Sequence, residues 1–136
     1  ALIQRFYEAK IKQKNEVICW GSGSPYREFL HVDDLANACL HILESWSPEE
    51  NQLPFLNVGT GKDITIRGLT QLIAELIGYR GIIKWNTDQP DGTPKKLLDI
   101  KRIKSTGWKY QIELKDGLKS TIKNYIENIN SGQIRK

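Results

Sequence analysis

Five side chains in this sequence have the chemistry to hold a diphosphate that bears a base and a sugar. Arg5, Arg27 and Lys96 are cations able to balance two phosphates, and Trp20 offers a flat apolar wall. Asp91, set in a loop, can accept hydrogen bonds from ribose or hexose hydroxyls. Trp20 and Arg27 belong to one stretch, residues 19–34, which packs an indole, two glycines, a proline and a guanidinium into a turn between two apolar runs. Arg5 lies off the apolar stripe of its own helix, so its plain reading is a solvated surface arginine. Spacing alone does not make the five converge.

Other arrangements that carry chemistry are incomplete. Gly21-Ser-Gly-Ser-Pro and Gly59-Thr-Gly-Lys-Asp lack the third glycine of a dinucleotide turn, and neither is a Walker loop, so both read as tight turns between elements. His31 and His41 are too few for a metal centre, and His41 precedes Ser45 by four residues with no nucleophile elbow nearby. A cap carboxylate after a strand explains His31 beside Asp33 and Asp34 better than acid-base work does. Cys19 and Cys39 have no partners at zinc-ligand spacing and are expected to be buried free thiols.

The elements that must position these groups follow from periodicity. Leu2, Ile3, Phe6, Tyr7 and Ile11 predict a helix over residues 2–14. Residues 16–20 read as a strand, 21–25 as a turn and 27–32 as a second strand. Asp33 is the expected N-cap of a helix that buries Leu35, Cys39, Ile42, Leu43 and Trp46. Residues 47–54 read as a loop and 55–58 as a buried strand. Thr65 caps the next helix, whose stripe is Leu69, Leu72, Ile73, Leu76 and Ile77 and whose stop is Gly78. A strand at 82–85, a loop at 86–94, an extended or strand stretch at 97–100, a short helix at 100–106 and a helix carrying Leu114, Leu118, Ile122, Tyr125 and Ile129 complete the chain, with 130–136 as a tail.

With 136 residues, 39% of them hydrophobic and 26% charged, the length and composition are those of one soluble globular domain. No apolar run reaches the roughly 20 residues of a membrane span, and the first residues lack a signal-peptide layout, so the expected location is cytoplasmic. The formal charge of +4 is local: residues 84–109 hold seven Lys or Arg against three Asp, and the rest of the chain balances. That excess suits a small acidic ligand; the rival is a nucleic-acid module built on Lys95, Lys96, Lys101, Arg102 and Lys104, for which no stacking platform or recognised motif is present. The absence of methionine and a start inside an amphipathic pattern suggest a piece of a longer protein.

The run Trp20-Gly-Ser-Gly-Ser-Pro-Tyr-Arg-Glu-Phe-Leu-His-Val-Asp-Asp-Leu-Ala resembles the carboxy-terminal part of the extended short-chain dehydrogenases. Asn57-Val-Gly-Thr-Gly, Thr65-Ile-Arg, Gly78-Tyr-Arg-Gly and Pro90-Asp-Gly-Thr-Pro-Lys-Lys-Leu-Leu-Asp narrow the resemblance to the GDP-L-fucose synthase family, over residues 1–130. The resemblance implies an α/β substrate-binding lobe spanning residues 1–136 of an incomplete Rossmann-type fold, with 55–78 completing the sheet of an absent cofactor domain. It implies conversion of GDP-4-keto-6-deoxy-D-mannose to GDP-L-fucose by C3/C5 epimerisation and NADPH-dependent C4 reduction, in an enzyme that is a homodimer at full length. Arg5, Trp20, Arg27, Asp91 and Lys96 are then substrate contacts, and Arg5 changes from surface residue to ligand residue. NADP would be bound mainly by the amino-terminal half. The glycine-rich cofactor turn and the Tyr-x-x-x-Lys set are not in this chain, since Leu114 and Ile129 stand four residues after Tyr110 and Tyr125. No catalytic residue is assigned, and another nucleotide-sugar epimerase or dehydratase is the nearest alternative.

Overall fold

The computed structural model describes residues 2–51 and 53–132. In chain order its elements are α1 (Leu2–Ile11), β1 (Glu16–Trp20), β2 (Tyr26–Glu28), α2 (Val32–Ser45), β3 (Asp63–Thr65), α3 (Ile66–Ile77), β4 (Ile82–Asn86), β5 (Lys95–Lys96), α4 (Lys101–Ser105) and α5 (Leu114–Asn130). Two small sheets result. β1 and β4 run parallel, from Glu16 opposite Ile82 to Trp20 opposite Asn86. β2 lies between β3, antiparallel to it, and β5, parallel to it.

The main core forms where amphipathic faces meet. Phe6 and Ala9 of α1, Val17 and Cys19 of β1, Leu69, Ile73, Ala74 and Ile77 of α3, and Ile122 of α5 are buried together. β1 alternates outward and inward residues, so the period that buries Val17 and Cys19 turns Ile18 and Trp20 out. A second, smaller cluster joins Ala38 of α2 to Ile100, Ile103 and Trp108. α3 begins with the Thr65 hydroxyl accepting from the Gly68 amide and ends at Gly78 in the left-handed region, as expected from the sequence.

Several expectations are corrected. α1 stops at Ile11, because Gln13 takes a positive φ of 49° and the Lys14 amide folds back onto the Ala9 carbonyl. β2 spans only Tyr26–Glu28, not 27–32. The N-cap of α2 is His31, whose Nδ1 accepts from the Asp33 amide, rather than Asp33. α2 buries Asp34 and Ala38, while Leu35, Cys39 and Leu43 are exposed. Its buried face is thus turned away from its apolar stripe, because the described residues place no element against Val32, Leu35, Leu40 and Leu43. Residues 55–58 form no strand and join neither sheet; instead the Arg102 guanidinium holds the Leu53 and Phe55 carbonyls at 2.8 and 2.7 Å. α3, also within the stretch 55–78, is already covered by α1 and α5. Of the expected tail, Asn130 completes α5 and residues 133–136 lie outside the described residues.

Candidate functional site

The turn after β1 is held from several sides. Gly21 and Gly23 both have φ of 74°, a region open to glycine. A Cβ on Gly21 would run into the Asp91 carboxylate, and one on Gly23 into the Trp85 ring. Asp91 Oδ1 accepts from the Ser22 amide at 2.9 Å, and Oδ2 accepts from the Ser22 hydroxyl and, at 3.5 Å, from that of Ser24. On the carbonyl side, the Arg67 guanidinium donates to Ser22 O and the Arg67 amide to Gly23 O. That guanidinium lies 4.6 Å from the centre of the Trp85 ring.

Trp20 and Arg27 flank this turn in the chain, Asp91 bonds into it, and Lys96 pairs with Arg27 across β2 and β5. Trp20 precedes the turn and is 69% exposed, so its ring is directed by backbone rather than by packing. Arg27 follows it on β2 and is the register partner of Lys96 on β5, which puts both cations on one face of that sheet. A Cβ on Gly92, next to Asp91, would lie 3.2 Å from the Arg27 guanidinium. Asp91 joins the group through Ser22. Arg5 reaches the same region from α1, donating to the Ile18 carbonyl at 2.9 Å, two residues before Trp20.

The carboxyl of Asp91 is held below the ordinary carboxylate range, first by the Ser22 hydroxyl and then by the Ser22 amide. A depressed value means that the charged, accepting form persists through neutral pH and is lost only as pH falls below that range. Burial pushes the Cys19 thiol up, against the opposing pull of Arg5, which favours its protonated form at neutral pH.

The remaining acids of this stretch brace the fold. Glu28 accepts from the Gly61 amide at 2.6 Å, the Thr60 hydroxyl at 3.3 Å and the Leu98 amide at 3.1 Å. The Glu28 carboxylate therefore takes the Gly61 amide of the 59–61 turn. Asp34 accepts from the amides of Gln111 and Ile112, both at 2.9 Å. His31 packs its ring against Gly117 and has Nε2 3.3 Å from the Ser120 hydroxyl. His41 has Nε2 3.0 Å from the Thr106 hydroxyl, and the Ser45 hydroxyl donates to the His41 carbonyl. Among the described residues no group of three or more His, Cys, Asp or Glu could hold a metal ion. None of their helices is long and apolar enough to cross a membrane.

Three members of the basic cluster have partners within the chain. Lys95 pairs with Asp63 at 3.0 Å, Lys101 approaches Asp99 at 3.7 Å, and Arg102 is taken by carbonyls. Sequence reasoning missed Ser22, Arg67, Trp85 and Glu28. The signal for Ser22 was its place between two glycines, where a main chain bare of Cβ atoms admits a close carboxylate.

The fold is similar to the carboxy-terminal part of solved extended short-chain dehydrogenase structures. Residues 1–59 match the model of the NAD dependent epimerase/dehydratase family. A solved GDP-mannoheptose C4 reductase from Campylobacter jejuni, with NADP bound, superposes with a TM-score of 0.77 and 32% identity over 92% of this chain and 43% of its own. Curated sequence relatives include GDP-L-fucose synthases and, at 33% identity over 95% of this chain and 40% of its own length, a putative UDP-glucose 4-epimerase of Methanocaldococcus jannaschii. The chain is 49% identical to the putative GDP-L-fucose synthase 2 of Arabidopsis thaliana, over 95% of this chain and 38% of that protein. It is 48% identical to the GDP-L-fucose synthase of Escherichia coli strain K12, over 94% of this chain and 41% of that protein. The chain thus spans about two fifths of the length of these curated relatives.

Proposed function

We propose that this chain is the substrate-binding portion of an enzyme that converts GDP-4-keto-6-deoxy-D-mannose to GDP-L-fucose by C3/C5 epimerisation and NADPH-dependent reduction at C4. The observation that supports the reading is the register of Arg27 with Lys96, which puts two cations on a common sheet face directly after the clasped turn that the exposed Trp20 precedes. Arg5 extends the cationic side from α1. In this reading the hydride comes from NADPH, held mainly by the amino-terminal half.

In the same reading, a dinucleotide-binding domain covers the outer stripe of α2 and pairs with residues 55–58, completing its sheet. The support is the exposure of Val32, Leu35, Leu40 and Leu43, the last at 82%, beside an apolar segment without a strand partner among the described residues. The length that relatives carry beyond this match, about three fifths, is enough for such a domain.

One experiment addresses both parts. The purified 136-residue chain is expected to show no turnover of the 4-keto sugar with NADPH. Mixed with a separately made cofactor domain of a GDP-L-fucose synthase, it is expected to associate and restore turnover, and Leu43→Glu should block association. Turnover by the chain alone, or association indifferent to Leu43→Glu, would contradict the reading.

A further inference from the structure

We propose that Arg67 is a positioning residue for the nucleotide grip: stacked on Trp85, it braces the carbonyl side of the 21–25 turn against the first turn of α3, and so fixes how Trp20 and Arg27, on either side of that turn, are presented to a nucleoside diphosphate. The inference rests on the functional reading above. It gives a role to the arginine of the Thr65-Ile-Arg motif, which that reading leaves unused.

Three carbonyls of the turn face one helix start. Ser22 O accepts from the Arg67 guanidinium, Gly23 O from the Arg67 amide at 2.8 Å, and Pro25 O from the Ile66 amide at 2.9 Å. The first amides of a helix find no acceptor within it. Here the turn satisfies two of them, and the Thr65 hydroxyl satisfies a third, that of Gly68, at 3.0 Å. Past the turn the chain continues into the β2–β3 ladder, with Tyr26 opposite Thr65. The turn is therefore docked on α3 by main chain from Gly23 onward.

The guanidinium adds what those main-chain bonds lack, a hold on the Trp20 side. It reaches back to Ser22, and it lies 4.6 Å from the centre of the Trp85 ring. Trp85 stands on β4 opposite Cys19, the residue before Trp20, and its ring occupies the space that a Cβ on Gly23 would need. Arg67 thus ties α3, β4 and the turn together. Trp20 is an exposed ring and Arg27 sits on a three-residue strand, so both depend on such support for their direction. A recognition element held in its bound shape loses less entropy on binding than a mobile one. Arg67 itself is exposed and lies outside the buried core, so truncating it leaves that core intact.

Two measurements on Arg67→Ala separate a brace from a ligand contact and from a purely structural role: calorimetric titration with GDP at two salt concentrations, and amide hydrogen exchange without ligand. The variant is expected to bind GDP about tenfold more weakly. Its salt dependence should match that of the unsubstituted protein, because no charge that touches phosphate has been removed. Without ligand, the Ile66 and Tyr26 amides should exchange faster, since the turn that they hold has lost its brace. Trp85→Leu should also weaken GDP binding, but add little in the Arg67→Ala background. Unchanged exchange together with a lower salt dependence would make Arg67 a phosphate contact and overturn the proposal. Faster exchange with unchanged GDP affinity would reduce Arg67 to a structural residue and overturn it as well. Additive losses for Arg67→Ala and Trp85→Leu would overturn the link through the stacked pair. Failure of the unsubstituted protein to bind GDP would overturn the functional reading instead, and the exchange measurement, which needs no ligand, tells the two failures apart.

Discussion

Arg27→Ala is expected to weaken GDP binding by about 10- to 100-fold, the loss that follows from removing a charge-assisted contact of roughly 1.5–3 kcal/mol. Arg27 sits opposite Lys96 in the β2–β5 ladder, so a diphosphate lying on that face meets two cations from adjacent strands. Its one recorded side-chain hydrogen bond is to the neutral Tyr26 carbonyl at 2.6 Å, a partner that an incoming phosphate can replace. Arg27→Lys keeps the charge but not the planar fork, and should recover only part of the affinity. Calorimetry at two salt concentrations checks both points, because the alanine variant should also show the weaker salt dependence. Equal GDP affinity in the wild-type and alanine proteins would remove Arg27 from the site.

Asp34→Ala is expected to lower stability by about 2–4 kcal/mol, the cost of leaving part-buried amides without an ionised acceptor. Asp34 is 4% exposed, and its two oxygens are each matched to one amide, Gln111 and Ile112. The pair ties the first turn of α2 to the segment that leads into α5. Asp34→Asn should also destabilise, because its NH2 would face an N–H donor where an oxygen is needed. The neighbouring Asp33 provides the contrast: its side chain is 77% exposed and only 3.6 Å from the His31 ring nitrogen, so Asp33→Asn should stay within about 0.5 kcal/mol. Urea unfolding of the three variants measures the difference, and equal midpoints for Asp33 and Asp34 variants would contradict it.

Those two aspartates show what could be read from the chain and what could not. Consecutive acids after a strand signal a helix start, and α2 does start there. Which acid faces inward depends on the amides of residues 111 and 112, far along the chain. β1, α3 and α5 were legible because their residues meet partners within this chain, so local periodicity and tertiary packing agree. α2 and residues 55–58 were misread for the opposite reason: their apolar patterns are real, but the described residues give them nothing to pack against or pair with. Trp20, Arg27 and Lys96 were recognisable by residue type, whereas their convergence required the pairing of β2 with β5. Arg67 stood in the Thr65-Ile-Arg motif, but its role was invisible, since its stacking on Trp85 and its grip on Ser22 cross from the start of α3 to β4 and the turn.

The most direct measurement is a calorimetric comparison of GDP-mannose with UDP-glucose and dTDP-glucose on the unsubstituted protein. The clasped turn with Trp20, Arg27 and Lys96 is expected to bind the GDP-sugar at least about tenfold more tightly than either pyrimidine nucleotide sugar. Equal or tighter binding of UDP-glucose or dTDP-glucose would contradict the assignment to GDP-sugar chemistry.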